Sequence, residues 1–180
     1  AIRERLSRAR AWIDEQIAQP ASAQLPTIQT AYAALTNPAQ MIGSLNTDRQ
    51  EIWFRNSIAG PDQLRQRVAF ALSEIMVVSQ QSTLQNMPYA LADYYDLLAR
   101  DAFGDFRKLI EDVTLHPAMG VYLNMLGNQK PDTAKNIRPD ENYARELMQL
   151  LTIGLVELNT DGTVKTDAQG QPIPTYDQSV

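Results

Sequence analysis

Residues 138–151, RPDENYARELMQLL, place two glutamates, an asparagine and an arginine within a few helical turns. At about 100° per residue, six polar side chains fall within an arc of about 140°. They are Glu141, Asn142, Arg145, Glu146, Gln149 and Thr152. Carboxylates, an amide and a guanidinium on one face can bind a polar ligand or a hard cation. The arc also contains no lysine, which solvated helix faces usually carry.

The simpler interpretation of this arc is a water-facing side of an amphipathic helix. Glu141 and Arg145 are four residues apart in the favourable order, a pair that adds only about 0.2–0.5 kcal/mol to helix stability. Glu141 and Glu146 are five residues apart, about 140° around the helix, so they need a third element to hold one ion. The solvated face and the working site both remain open at this point.

His116 is the only histidine in the chain, and it stands directly before Pro117 at a predicted helix break. The C-terminal dipole of the preceding helix would favour its protonated form. A lone histidine caps a helix or packs more often than it catalyses, and one histidine excludes a multi-histidine zinc site.

If the chain is an enzyme, these residues predict a hydrolase or lyase that acts on a polar substrate. Glu141 or Glu146 would be the base and His116 the acid. Asn142 and Arg145 would bind the substrate, with the guanidinium as the anion clamp. No G-x-S-x-G nucleophile motif and no glycine-rich phosphate loop accompanies them.

A weaker hypothesis is a Ca²⁺ or Mg²⁺ site built from Glu141, Glu146 and either Asp101 or Asp105. The stretch ELNTDGT fails as a calcium loop because Ala168 would occupy its last ligand position. We therefore predict no metal site and no cofactor.

Composition excludes several classes of protein. The 180 residues carry a net charge of −5, which argues against nucleic acid as a partner. No cysteine is present, so disulfides and thiolate chemistry are excluded. No stretch predicts a membrane span or a signal peptide. The chain opens in mid-helix pattern, and we expect it to be a fragment of a longer protein.

Periodicity predicts a mainly α-helical, bundle-like single domain over residues 1–180, with a small β-hairpin extension over residues 155–175. Residues 60–80 predict the helix most central to the core, because their second half is apolar on most sides. Residues 1–19 predict an amphipathic helix, and Asp105 is expected to cap the helix that follows it. Turn residues at Asp161-Gly162 and Gln169-Gly170 suggest the hairpin.

Three stretches resemble a known family: LRQRVAFALSEIMVVS, YYDLLARDAFGDFRKLIEDVTLHPAMGVYLNMLGNQKPD and RPDENYARELMQLLTIGL. Together they are similar to the large bacterial family catalogued as domain of unknown function 1800, and the resemblance extends over nearly the whole chain. Asp140 stands where the family pattern leads us to expect asparagine.

The resemblance implies an exported protein, periplasmic or extracellular, with a possible protein partner in the cell envelope. It implies no activity and assigns no residue a catalytic role. We therefore expect a non-enzymatic helical binding or structural module, with the Glu/His/Arg hydrolase or lyase as the alternative.

Overall fold

A computed structural model of the chain describes residues 2–37 and 42–176. The regular secondary structure of these residues is mainly α-helical, as the sequence predicts. The α-helices within the described ranges are α1 (Ile2–Ala18), α2 (Leu25–Ala33), α3 (Ile42–Ala59), α4 (Gln63–Ile75), α5 (Pro88–Asp101), α6 (Phe106–Leu115), α7 (Pro117–Tyr122) and α8 (Asn142–Gln149). Short 3₁₀ turns cover Thr83–Asn86 and Thr133–Lys135. No helix in these ranges is long and apolar enough to cross a membrane.

The chain divides into two compact units, residues 1–122 and residues 123–180, called here the N-terminal and C-terminal units. Helices α1 to α7 lie in the first and α8 lies in the second. The assignment of all 180 residues to one domain stays a prediction.

Helix α5 is the centre of the N-terminal unit. It packs against α2, α3, α4 and α6, and it buries Leu91, Tyr94 and Leu98 completely. These side chains recur at helical spacing on one face, and Pro88 starts the helix without losing a needed donor. The prediction that residues 60–80 form the most central helix is wrong. The buried residues of helix α4 are Gln66 and Ala69, and its Phe70 is 47% exposed.

Two carboxylates, one buried and one half-buried, tie distant segments of the N-terminal unit together. Asp62 accepts hydrogen bonds from the backbone N–H and the hydroxyl of Ser22 at 2.8 and 2.6 Å, and from the amide of Gln66. Asp96, on α5, accepts from the backbone N–H groups of Gln24 and Leu25 at the start of α2. Both carboxylates supply acceptors to N–H groups that would otherwise be unsatisfied.

Helix α1 forms as predicted, but its apolar residues do not form a core face. Leu6, Trp12 and Ile17 are exposed, and Gln16 is the residue that is buried. The Gln16 amide donates to the carbonyl of Pro61 and accepts from the N–H of Leu64 at the start of α4.

The predicted β-hairpin over residues 155–175 is absent, since no β-strand occurs in the described residues and this segment has only isolated bridges. In a hairpin, two facing strands exchange hydrogen bonds along a ladder. Here the backbone N–H of Glu157 donates to Ile173, that of Ile173 to Lys165, and that of Lys165 to Glu157. This closed cycle of three bonds links three short runs of chain, and no pair of runs extends into a ladder.

The two connections between consecutive runs are made by the same turn, eight residues apart. Asn159 and Gly162 form one turn, and Asp167 and Gly170 form its equivalent, with matching backbone hydrogen bonds. Both glycines have positive φ, 83° and 80°, a conformation that favours glycine. The turn residues were read correctly from the sequence, but their equal spacing was missed.

Candidate functional site

The N-terminal unit contains a cleft of about 430 Å³ formed by α3, α4, α5 and the segment between α4 and α5. Its lining combines aromatic rings with a few polar groups: Arg49, Gln50, Trp53, Phe54, Phe70, Ser73, Glu74, Gln80 and Tyr95. This mixture of apolar surface and few polar groups is typical of small-molecule sites.

Arg49 is the cation of this cleft, and it is only 6% exposed. Its Nη2 donates to the side-chain oxygen of Gln80, which also accepts from Gln50 at 3.0 Å. The guanidinium carbon lies 5.5 Å from the centre of the Tyr95 ring. No ion pair to Arg49 occurs in the described residues, and its buried Nε has no hydrogen-bond partner there.

Another arginine of the same unit shows a different arrangement. Arg65 donates to the backbone carbonyls of Ile17, Gln19, Ala99 and Arg100, and it lies over the ring of Phe103. These carbonyls stand at or just beyond the C-terminal ends of α1 and α5, where a cation also complements the helix dipole. Arg65 therefore has a structural role, whereas the hydrogen-bond acceptor of Arg49 in the described residues is a neutral amide.

Burial governs the ionisation of the groups around Arg49. Desolvation lowers the pKa of Arg49, and the neighbouring Tyr95 opposes this shift. Desolvation also raises the pKa of Tyr95. Because a guanidinium stays protonated throughout the neutral range, the cleft holds a buried positive charge beside a neutral phenol.

Three rings form the apolar wall of the cleft. Trp53 lies edge-on to Phe54, with ring centres 4.8 Å apart, and its ring centre is 5.9 Å from that of Phe70. The Trp53 ring is inclined by 79° to the first and 53° to the second. Phe54 and Phe70 are about half exposed, so this wall is open to a ligand.

His116 has a capping role in the N-terminal unit. Its Nδ1 accepts a hydrogen bond from the backbone N–H of Ala118 in the first turn of α7, at 3.1 Å. The proton therefore belongs on Nε2, which donates to the carboxylate of Asp93 at 3.2 Å. Burial lowers the pKa of His116 more than Asp93 raises it. The expected protonated form is thus wrong, and the ring is neutral near pH 7.

The other predicted site residues lie in the C-terminal unit, at and around the start of α8. Arg145 donates to the side-chain oxygen of Asn142 at 2.9 Å, and its Nη2 lies 3.9 Å from a carboxylate oxygen of the adjacent Glu146. Glu141 precedes the helix and accepts from the hydroxyl of Tyr176 at 2.8 Å. Tyr176 was missed, because nothing in the sequence relates it to a residue so far away along the chain.

The polar arc of α8 is not a simple water-facing side. Glu141, Asn142, Arg145 and Glu146 are all half-buried, whereas the apolar Leu150 is 64% exposed. The arrangement brings together Asn142, Arg145 and Glu146. These hydrogen bonds hold the side chains of the arc in place and set the hydroxyl of Tyr176 beside Glu141.

Metal-ligating residues do not cluster in residues 2–37 and 42–176: no group of three or more histidine, aspartate or glutamate side chains there could hold an ion. Asp105, one of the residues considered for a cation, caps α6 by accepting from the N–H of Lys108 at 3.1 Å, as predicted. Asp101 lies at the end of α5, near Arg100.

A family model described as "Protein of unknown function (DUF1800)" matches residues 3–179. The chain belongs to this family. No curated protein and no solved structure matches the chain. Membership confirms the resemblance seen in the sequence, and it assigns the DUF1800 chain neither a reaction nor a ligand.

The residue that departs from the expected DUF1800 pattern, Asp140, has a clear local role. Its Oδ1 accepts from the backbone N–H of Asn142, and its backbone pairs with the side chain of Asn128 at 2.7 and 2.8 Å. An asparagine also carries an Oδ1 acceptor, so either residue can make this turn before α8.

The cleft residues of the DUF1800 chain were missed from the sequence, although one signal was present. Trp53 and Phe54 are adjacent in a helix and point about 100° apart, so one buried stripe does not accommodate both rings. An adjacent aromatic pair in a helix with charged neighbours therefore indicates an aromatic surface. Arg49 gave no such signal, because its burial depends on how α3 and α5 pack.

Proposed function

We propose that this DUF1800 chain is a non-enzymatic helical binding module and that the Arg49 cleft is its ligand site. The observation that carries the proposal is a buried guanidinium in an aromatic cleft, with a neutral amide as its hydrogen-bond partner. Burying a charge without a counter-charge is unfavourable. A ligand that supplies an acceptor would relieve this cost on binding.

The alternative hydrolase or lyase has weaker support. An acid must hold a proton that it can transfer to the substrate, and His116 uses both ring nitrogens within the N-terminal unit. Glu141 accepts from Tyr176, and Arg145 bonds to Asn142. These contacts favour structural roles for the residues that the sequence nominated as catalytic.

The setting of the module follows from the family resemblance and from charge. We propose an exported protein, periplasmic or extracellular, with a possible protein partner in the cell envelope. The net charge of −5 disfavours nucleic acid as a ligand.

The test uses Trp53 as a reporter. The chain has two tryptophans, and Trp12→Phe leaves Trp53 as the single indole signal in a ¹H–¹⁵N correlation spectrum. A panel of ring-bearing small molecules that carry an acidic, a neutral or a basic group is titrated into this protein. The proposal expects a saturable shift of the Trp53 signal with at least one member, and no chemical change in the ligand on prolonged incubation.

Matched variants connect the shift to the cleft. Phe70→Ala removes a half-exposed wall residue and should weaken binding about tenfold, the effect of losing roughly 1.4 kcal/mol of contact. Phe106→Ala removes a similarly exposed ring that does not line the cleft, and binding should not change. A panel without any saturable shift, or a ligand that is converted to product, would overturn the proposal.

A further inference from the structure

We infer that the ligand of the Arg49 cleft carries one carboxylate attached to a flat apolar ring. This inference rests on the proposed function, since it specifies the chemistry of the ligand for that same site. It follows from the hydrogen bonds of Arg49, from the charges that line the cleft and from the arrangement of its rings.

Arg49 has no carboxylate acceptor among the described residues. Gln80 contributes one amide oxygen, which is shared between Arg49 and Gln50. A carboxylate offers two oxygens in the plane of a guanidinium and makes stronger, charge-assisted hydrogen bonds. Because Nε is closed off from solvent, the ligand reaches the guanidinium through its Nη groups, of which Nη2 now donates to the Gln80 oxygen.

The charges that line the cleft limit the charge of the ligand. Among the described residues that line the cleft, Arg49 is the only cationic side chain, and Glu74 lies in the same lining. A dianionic phosphate would bring a second negative charge into a lining that holds one guanidinium and the Glu74 carboxylate. A single carboxylate on Arg49 balances the guanidinium while keeping its apolar part towards the rings.

The rings of the cleft determine which shape the apolar part of the ligand can have. Trp53, Phe54 and Phe70 are mutually inclined, so they present both edges and faces to the cleft. Aromatic pairs favour such inclined or offset arrangements over face-to-face stacking. A flat ring that packs against the exposed sides of Trp53 and Phe70 makes these contacts, whereas a flexible aliphatic chain loses more conformational entropy on binding.

The experiment compares three ligands of similar size in the Trp12→Phe protein: phenylacetate, its neutral amide and phenethylamine. The Trp53 indole signal is followed in each titration. Phenylacetate is expected to bind about tenfold or more tightly than the amide, equivalent to about 1.4 kcal/mol. Phenethylamine should bind least, because its ammonium group approaches Arg49.

Two isosteric variants test the role of Arg49 without removing a buried side chain. Gln80→Glu places a carboxylate beside Arg49, so the preference for phenylacetate over the amide should disappear. Glu74→Gln removes the negative charge of the lining, so phenylacetate should bind more tightly. Gln81→Glu makes the same charge change at an exposed position outside the lining, and it should retain the preference.

The outcomes separate this inference from the proposed function. If the amide or the amine binds as tightly as phenylacetate, or if Gln80→Glu retains the preference, the carboxylate inference is wrong while the binding module stands. If none of the wider panel shifts the Trp53 signal, both fail. Dispersed spectra of each variant establish that it is folded.

Discussion

The N-terminal and C-terminal units are stabilised in different ways. The N-terminal unit buries large apolar side chains, including Tyr94, Leu98 and Met119, around its helices. In the described part of the C-terminal unit, the buried residues are Tyr143, Leu151 and Thr175. The second unit therefore depends more on turns and hydrogen bonds than on a packed apolar core.

The polar contacts differ in the same way. In the N-terminal unit, Asp96 binds the start of α2 from about 70 residues away along the chain. In the C-terminal unit, many contacts are local, as between Asp161 and Thr163. A buried charge such as Arg49 needs packing between segments that are far apart along the chain, because such packing excludes water. This difference explains why the cleft belongs to the N-terminal unit.

The largest expected effect comes from truncating the core of α5. Leu98 is fully buried, so Leu98→Ala should lower the free energy of unfolding by about 3 kcal/mol, through lost transfer energy and a cavity. Leu150→Ala, at an exposed position in the C-terminal unit, should change it by less than about 0.5 kcal/mol. Urea unfolding measures both, and equal effects would contradict the contrast between the units.

A smaller effect is expected at Asp62, together with a pH dependence. Burial opposes the shift, but hydrogen bonds from Ser22 and Gln66 prevail and lower the pKa of Asp62 from 3.8. Its stabilisation is therefore complete above the unfolded pKa and is lost as the pH falls through the folded value. Asp62→Asn should cost about 2 kcal/mol at pH 7, and less at pH 3.

The control for this prediction is Asp161→Asn in the C-terminal unit. Hydrogen bonds from Thr163 also lower the pKa of Asp161, but the carboxylate is exposed. No resolvable change in the urea midpoint is expected for this variant. If Asp62→Asn cost the same at both pH values, the stabilisation would not come from the ionised carboxylate.

The smallest effect is local to the C-terminal unit. Gly162 has φ +83°, so Gly162→Ala should destabilise its turn by about 1 kcal/mol. The amide of Lys165, which bonds to Glu157 in the three-bond cycle, should then exchange with solvent about fivefold faster. Gly120→Ala adds a Cβ to α7 at a position with open space around it. This variant should leave the exchange rate unchanged. A matching increase in both variants would argue against a local role for Gly162.

The helices could be predicted from the sequence wherever a local signal determined them. The Asp105 cap is of this kind, because it depends on a few neighbouring residues. The choice of the central helix could not be predicted in this way. Apolar residues in α4 and α5 look alike in sequence, and only the packing of neighbouring helices leaves Phe70 exposed and Leu98 buried.

The hairpin prediction failed because turn residues specify a turn and not the partner of the chain that follows it. Gly162 and Gly170 make turns as expected, but the runs between them close into a cycle of three. In the same way, the composition of the polar arc on α8 suggested catalytic and substrate-binding roles. Its hydrogen bonds with Tyr176 and among its own members were not readable from the sequence.

A crystal structure of the protein co-crystallised with phenylacetate tests the central claim most directly. The account predicts electron density for the ring packed against Trp53 and Phe70, with a carboxylate oxygen within about 3.2 Å of an Arg49 nitrogen. An empty cleft, with the ligand bound instead along the polar arc of α8, would contradict it.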